Sequence, residues 1–311
     1  MKSPFALLQR YQGLVGLLLL LGFAFFLNAK LFYSPGNVAN ILNQLAVPGV
    51  LAVGMTFVIL TGGIDLSVGS LLGLCNCIIA TWIVAGASVP VTMTYVLLIG
   101  TLVGALLGFL VAWTKLQPFV VTLAGMVSLR GFAYMYTNSG TVSGLNKRLD
   151  FLTQPHLGLP LSAWIMLLVT AIAAFVLAKT IFGRNLYALG GNEEAARYAG
   201  LNQMQLRIAA YAVNGFCVAL AALMFTARNT NGDPSSGSGY ELDAITAVVV
   251  GGTSLLGGVG GVLGTFVGAL FIVCLNVLLV LRGVNTYVGM GWKGMIILVA
   301  VYLQNLNRRS T

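Results

Sequence analysis

YVLLIGTLVGALLGFLVAW, residues 95–113, runs for 19 residues without a charge or a proline. A helix of that length reaches about 28 Å, close to the ~30 Å hydrocarbon core of a bilayer. Gly100, Gly104 and Gly108 recur at four-residue spacing within it, so one face is nearly bare backbone. Such a ridge lets a neighbouring helix come close where lipid supplies no hydrophobic drive between helices. Gly260, Gly264 and Gly268 repeat the pattern further on. Working outward from residues 95–113, comparable apolar runs predict ten spans, at 11–28, 41–61, 66–86, 91–113, 118–137, 161–179, 206–227, 241–257, 262–281 and 286–305. Composition agrees: 58% of the chain is hydrophobic, 7% is charged and the mean hydropathy is +0.94. Soluble chains carry about 25% charged residues. The expected fold is all-α, a polytopic transmembrane helical bundle of about ten spans forming a single domain over 1–311. A soluble enzyme, a secreted disulfide scaffold and a disordered chain are excluded.

The net charge of +9 comes from sixteen Lys and Arg scattered between apolar runs, a distribution that sets topology and does not suit nucleic acid. With the N-terminus inside, nine basic residues lie on the inner side and five on the outer, while Arg130 and Lys293 fall inside spans. Both termini are therefore expected in the cytoplasm, in a multi-pass protein surrounded by membrane lipid. Lys2 and Arg10 before the run from Gly13 to Leu27 read as an uncleaved signal anchor. Cys75 and Cys77 point to different helix faces, and Cys217 and Cys274 lie in other spans, so neither a metal site nor a disulfide framework follows. The single histidine, His156, stands in a predicted outer loop, and no HExxH, GxSxG or GxxxxGK[ST] string occurs. No catalytic residue and no cofactor are expected.

Polar residues inside spans are costly and mark either helix contacts or a water-filled path. Pro48 cannot bond back to the carbonyl of Gln44, which leaves a free acceptor beside Asn43 and Gln44, about 10 Å into the bilayer. These three residues are candidates for a translocation wall. Asp65 and Ser67 in TGGIDLSVGS (61–70) are read either as caps of the next helix or as pathway groups. Asn276 is read as helix glue or a pathway group. VVVGGTSLLGG (248–258) repeats the outline of 61–70, with Gly62, Gly63, Leu66 and Gly69 matching Gly251, Gly252, Leu255 and Gly258. Arg130 needs a counter-charge, and Glu241 and Asp243 are the nearby acids, with Lys293 competing for them. A structural charge or hydrogen-bond cluster is expected there.

One polar stretch on the inner side stands out, at about 180–205. Within it FGRNLYALGGNEEAARYAGLN (182–202) encodes a two-turn helix. Gly190-Gly191 breaks what precedes, Asn192 is an N-cap, and Glu193 and Glu194 suit the positive end of the helix dipole. Arg197 continues the helix and Gly200 stops it. Such a helix is too short to be stable alone in water, so it reads either as a surface turn or as a docking knob for a cytoplasmic partner.

These strings together resemble the permease subunits of bacterial monosaccharide ABC importers. The resemblance rests on AVGMTFVILTGGIDLSVGSLLG (52–73), QPFVVTLAGMVSLRG (117–131), FGRNLYALGGNEEAARYAGLN (182–202) and GYELDAITAVVVGGTSLLGG (239–258), in order from about residue 35 to the C-terminus. It implies a type II importer permease of the bacterial inner membrane, with ribose favoured among the sugars. It also implies a cytoplasmic ABC ATPase, a periplasmic sugar-binding protein and a second permease chain, a homodimer being favoured over a heterodimer. Gly191, Asn192, Glu193, Glu194, Arg197 and Gly200 then correspond to the helix that couples the permease to the ATPase. The competing reading is a secondary carrier or channel, which would usually show paired titratable groups at mid-membrane.

Overall fold

The computed structural model describes residues 12–145 and 147–284, with positions 289, 291, 294–296 and 298 beyond them. Lys2, Arg10, Lys293 and most of the tenth expected span lie outside the described residues. Along the chain come α1 (Gln12–Phe32), α2 (Pro35–Leu60), α3 (Val68–Val84), α4 (Val89–Thr114) and α5 (Pro118–Tyr136). A small hairpin of β1 (Pro155–His156) and β2 (Leu159–Pro160) follows. Then come α6 (Leu161–Lys179), α7 (Ile181–Gly191), α8 (Glu193–Tyr198), α9 (Gln203–Asn229), α10 (Tyr240–Val250) and α11 (Val262–Leu281). Six of these, α2, α4, α5, α6, α9 and α11, are long and apolar enough to cross a membrane. The apolar stretches Gly13–Leu27 and Val68–Val84 are shorter.

The centre of the bundle is α2, which is buried almost continuously from Leu45 to Leu60. It is wrapped by α9, α11, α6 and α10, while α4 lies along the other side of α9. The glycine ridge of residues 95–113 forms this last seam. A Cβ on Gly100 would stand 2.6 Å from Ala219 Cβ, one on Gly104 3.0 Å from Gly215 Cα, and one on Gly108 2.8 Å from Tyr211 Cβ. The two helices therefore touch backbone to backbone, and dispersion replaces the hydrophobic drive that lipid cannot supply. The second glycine series is used differently. Gly264 and Gly268 face Gly251 and Ala247 across the α10–α11 contact, but Gly260 precedes the helix, in a loop at φ +131°.

The expected eighth span is not one helix. α10 covers only 11 residues, about 16 Å, and the chain from 251 to 261 is irregular. Its stop is a Schellman motif: Gly252, at φ +91°, donates to Val249 O, and Thr253 N donates to Val248 O. α2 stops in the same way, with Gly62 at φ +78° donating to Ile59 O and Gly63 N to Val58 O. The repeat read at 61–70 and 248–258 thus exists as a shared stop signal, with Gly62 equivalent to Gly252 and not to Gly251. The match ends there, because Gly86, Gly200 and Gly283 close three further helices with the same pair of bonds.

Candidate coupling site and translocation wall

α8 is built as its sequence suggests. Asn192 is extended (φ −158°, ψ 105°), and its side-chain oxygen accepts from Ala195 N at 2.9 Å. At the other end Gly200, at φ +78°, donates to Arg197 O, and Leu201 N donates to Ala196 O. Only Ala196 of this helix is buried. Six residues cannot hold themselves helical in water, so neighbours hold them. Glu193 pairs with Arg207 of α9 at 2.7 Å, and the Gln203 amide donates to Glu193 O at 2.6 Å. Glu194, Arg197 and Tyr198 are left facing solvent. Tyr198 is 81% exposed, with the Arg197 guanidinium 5.4 Å from its ring centre. The sequence reading missed this tyrosine. Nothing in the sequence separates exposed Ala195 from buried Ala196, so the face that Tyr198 takes was not announced there.

The helix before it links this knob to the bundle core. α7 is capped by Thr180, whose hydroxyl accepts from Gly183 N at 3.2 Å, and it buries Gly183, Leu186 and Leu189. Gly190, in its last turn, lies against Leu60 O and Gly258 N with no room for a Cβ. Gly258 N donates to Leu60 O at 3.1 Å, and a Cβ on Gly257 would stand 3.0 Å from both Leu60 O and Gly190 Cα. Three segments therefore meet at backbone distance: the end of α7, the end of α2 and the loop 251–261. The Tyr187 hydroxyl adds a bond to Gly260 O at 2.9 Å. Burial pushes that phenol above its ordinary value of 10.0, so it remains a donor at every pH below that value. Beside the junction a cleft of about 730 Å³ opens, with Lys115, Glu193, Arg197 and Arg207 among its lining residues.

The candidate wall sits toward the other end of α2. The helix runs unbroken through Pro48, and Asn43, Gln44 and Pro48 are all half-buried. The Asn43 side-chain oxygen accepts from the Ser162 hydroxyl of α6 at 3.4 Å. Thr56 and Thr265 share a hydrogen bond of 2.8 Å between antiparallel α2 and α11, and counting outward from it sets Asn276 level with Leu45. Gln44 and Asn276 thus occupy one level, and neither makes a side-chain hydrogen bond among the described residues. Asp65 and Ser67 go elsewhere. Asp65 is 2% exposed and accepts from Ser67 N at 2.9 Å, from the Ser67 hydroxyl at 2.6 Å and from the Asn214 amide at 2.8 Å. The bond to Asn214 pins the break between α2 and α3 to the middle of α9, while Ser67 stands at the N-cap position of α3 without a side-chain cap bond.

The counter-charge expected for Arg130 is supplied by carbonyl dipoles. Its guanidinium donates to Pro234 O and, at 2.7 Å, to Ser236 O, over the bare backbone of Gly73. Glu241 lies one turn along α3, against Gly69, and accepts from Gly239 N at 3.1 Å. Arg130, from α5, thus holds the loop 234–241 by two of its carbonyls, and Glu241 closes the end of that loop on itself. Lys293 is outside the described residues. Among the described residues no three of His, Cys, Asp and Glu converge on a point where a metal ion would sit.

Comparison with known proteins gives a consistent picture. A family described as branched-chain amino acid transport system / permease component matches residues 37–301. The ribose import permease protein RbsC of Haemophilus influenzae is 44% identical over 94% of this chain and 92% of its own. RbsC of Escherichia coli K12 is 42% identical over 96% and 95%. The xylose transport system permease protein XylH of E. coli K12 is 34% identical over 89% and 87%.

Proposed function

Since the chain belongs to the family of branched-chain amino acid transport system permease components, we propose that it is the transmembrane subunit of an ATP-driven monosaccharide importer, with ribose as cargo. Sugar permeases stand among its relatives, named for ribose and for xylose, both pentoses. In this reading the chain is one ten-span domain of the bacterial inner membrane with both termini in the cytoplasm. It pairs with a second copy of itself, an ABC ATPase below and a sugar-binding protein above.

The observation that carries the proposal is the route from α8 to α2. A permease without its own nucleotide site must receive work by contact. α8 offers a capped, exposed surface with Glu194, Arg197 and Tyr198 outermost. Behind it, Gly190 touches the carbonyl of Leu60 with no side chain between. A push on α8 therefore reaches the end of α2 without compliant atoms in the path. The same helix carries Asn43, Gln44 and Pro48 toward its other end. Amide side chains both donate and accept, as sugar hydroxyls do, and Pro48 leaves the carbonyl of Gln44 open to a third bond. Tilting α2 would turn this polar level toward one side of the membrane or the other.

The test is a double substitution, Glu194→Lys with Gly200→Pro. It reverses the charge at the helix start and removes both the left-handed stop and its N–H bond to Arg197 O. We expect insertion at normal levels, loss of the ATPase on co-purification and no uptake of labelled ribose. Retention of the ATPase together with normal uptake would remove the docking assignment.

A further inference from the structure

The hairpin β1–β2 was not foreseen from the sequence and takes no part in the route just described. Its pairs Pro155↔Pro160 and His156↔Leu159 leave a two-residue turn of Leu157 and Gly158. Both turn residues have positive φ, 52° and 85°, the pattern of a type I′ turn. Asn-Gly or Asp-Gly is the usual solution there, because a branched apolar side chain gains nothing from the left-handed region. Here the first position is leucine, and it is 94% exposed. The hairpin is nevertheless rigidly seated. Leu161 N donates to Gln154 O at 3.2 Å, and the Trp164 indole donates to His156 O at 2.9 Å.

Location narrows what such a tip can meet. α6 leads from the hairpin to Lys179 and straight into α7 and α8, so its 19 residues, about 28 Å, separate hairpin and coupling helix by one bilayer core. Trp164, one turn into α6, is the kind of residue that sits at headgroup level. The hairpin precedes it in the chain and is held to it by the indole bond, at the end of α6 away from the coupling helix. Exposed Lys147, Arg148 and Phe151 occupy the same connection between α5 and α6, with Asp150 as the nearby acid; Arg148 is braced by a bond from Nη1 to Ile83 O at 3.1 Å, which leaves the rest of its guanidinium for other partners. An apolar knob on a basic surface, held in a strained and ordered turn, has the anatomy of a protein contact.

We propose that the hairpin tip is a docking knob for the soluble sugar-binding protein, with Leu157 entering an apolar socket whose rim carries carboxylates facing Lys147 and Arg148. The proposal rests on the importer reading, which puts α8 on the ATPase side and the hairpin on the side where sugar arrives.

Leu157→Asn tests it cleanly, because asparagine suits the turn and removes only the knob. With the assembled importer in nanodiscs, capture of the importer's own ribose-loaded binding protein should weaken roughly tenfold or more, while the melting temperature holds or rises. A second measurement excludes the membrane as the occupant. The native cysteines at 75, 77, 217 and 274 are buried, so a polarity-sensitive dye on Leu157→Cys reports from the tip alone. A blue shift that requires the binding protein supports the proposal. A blue shift in the nanodisc by itself means lipid contact and overturns it, as does no shift in either state. Unchanged capture by Leu157→Asn overturns the hairpin assignment alone. Failure of the wild-type complex to capture the binding protein would sink the importer reading together with it.

Discussion

Gly190 and Gly191 are adjacent and identical, yet the structure asks different things of them. A Cβ on Gly190 would collide with Leu60 O and Gly258 N, both backbone atoms that cannot rotate aside, whereas a Cβ on Gly191 meets nothing within 4 Å. Gly190→Ala should therefore force the junction apart, at a cost of about 1–3 kcal/mol, and abolish transport. Gly191→Ala should leave thermal stability in detergent at the wild-type value. Equal melting temperatures for the two variants would mean that α7 does not press on α2 as described. The same scale shows where sequence reading stops. Asn192, Glu193 and Gly200 were legible because each acts on backbone groups no more than about a turn and a half away in the chain. Arg130 was legible as a cation inside a span needing partners, but its acceptors are main-chain carbonyls at 234 and 236, which no residue type announces.

Among the elements, α2 and α10 show what apolar runs do and do not reveal. α2 is long, apolar and a helix, as its run of residues predicts. The 241–257 run is apolar after its first turn but stops at Val250, because the left-handed Gly252 and the bonds it makes are decided locally. The irregular chain that follows is tolerated because protein satisfies it: Ser254 N bonds Val259 O, and Gly258 N bonds Leu60 O. Hydropathy registers the apolar side chains and is blind to those backbone bonds. Within α2, Pro48→Ala should restore the bond to the Gln44 carbonyl and remove an acceptor from the wall. We expect normal insertion with a raised KM for ribose uptake, and wild-type kinetics would mean that Pro48 serves packing only.

For the molecule as a whole, the separation of hairpin from coupling helix by α6 makes topology testable without reference to any partner. Reporter fusions after His156 and after Asn192 should give opposite results, the periplasmic reporter active at the first and the cytoplasmic reporter at the second. The same reporter scoring at both positions would mean that α6 does not cross. The bundle itself was legible in outline from composition and run length. Its interior was not, since backbone-to-backbone seams such as Gly104 on Gly215 depend on which helices become neighbours.

The grip of Arg130 on the loop 234–241 has one more consequence, for what mutation can change there. The acceptors are main-chain oxygens of Pro234 and Ser236, so the guanidinium reads the course of the chain and not the identity of its side chains. Any residue at 236 that keeps the same path presents the same oxygen. The burden of this fastening falls on a single codon, that of Arg130, while the residue at 236 is free to drift.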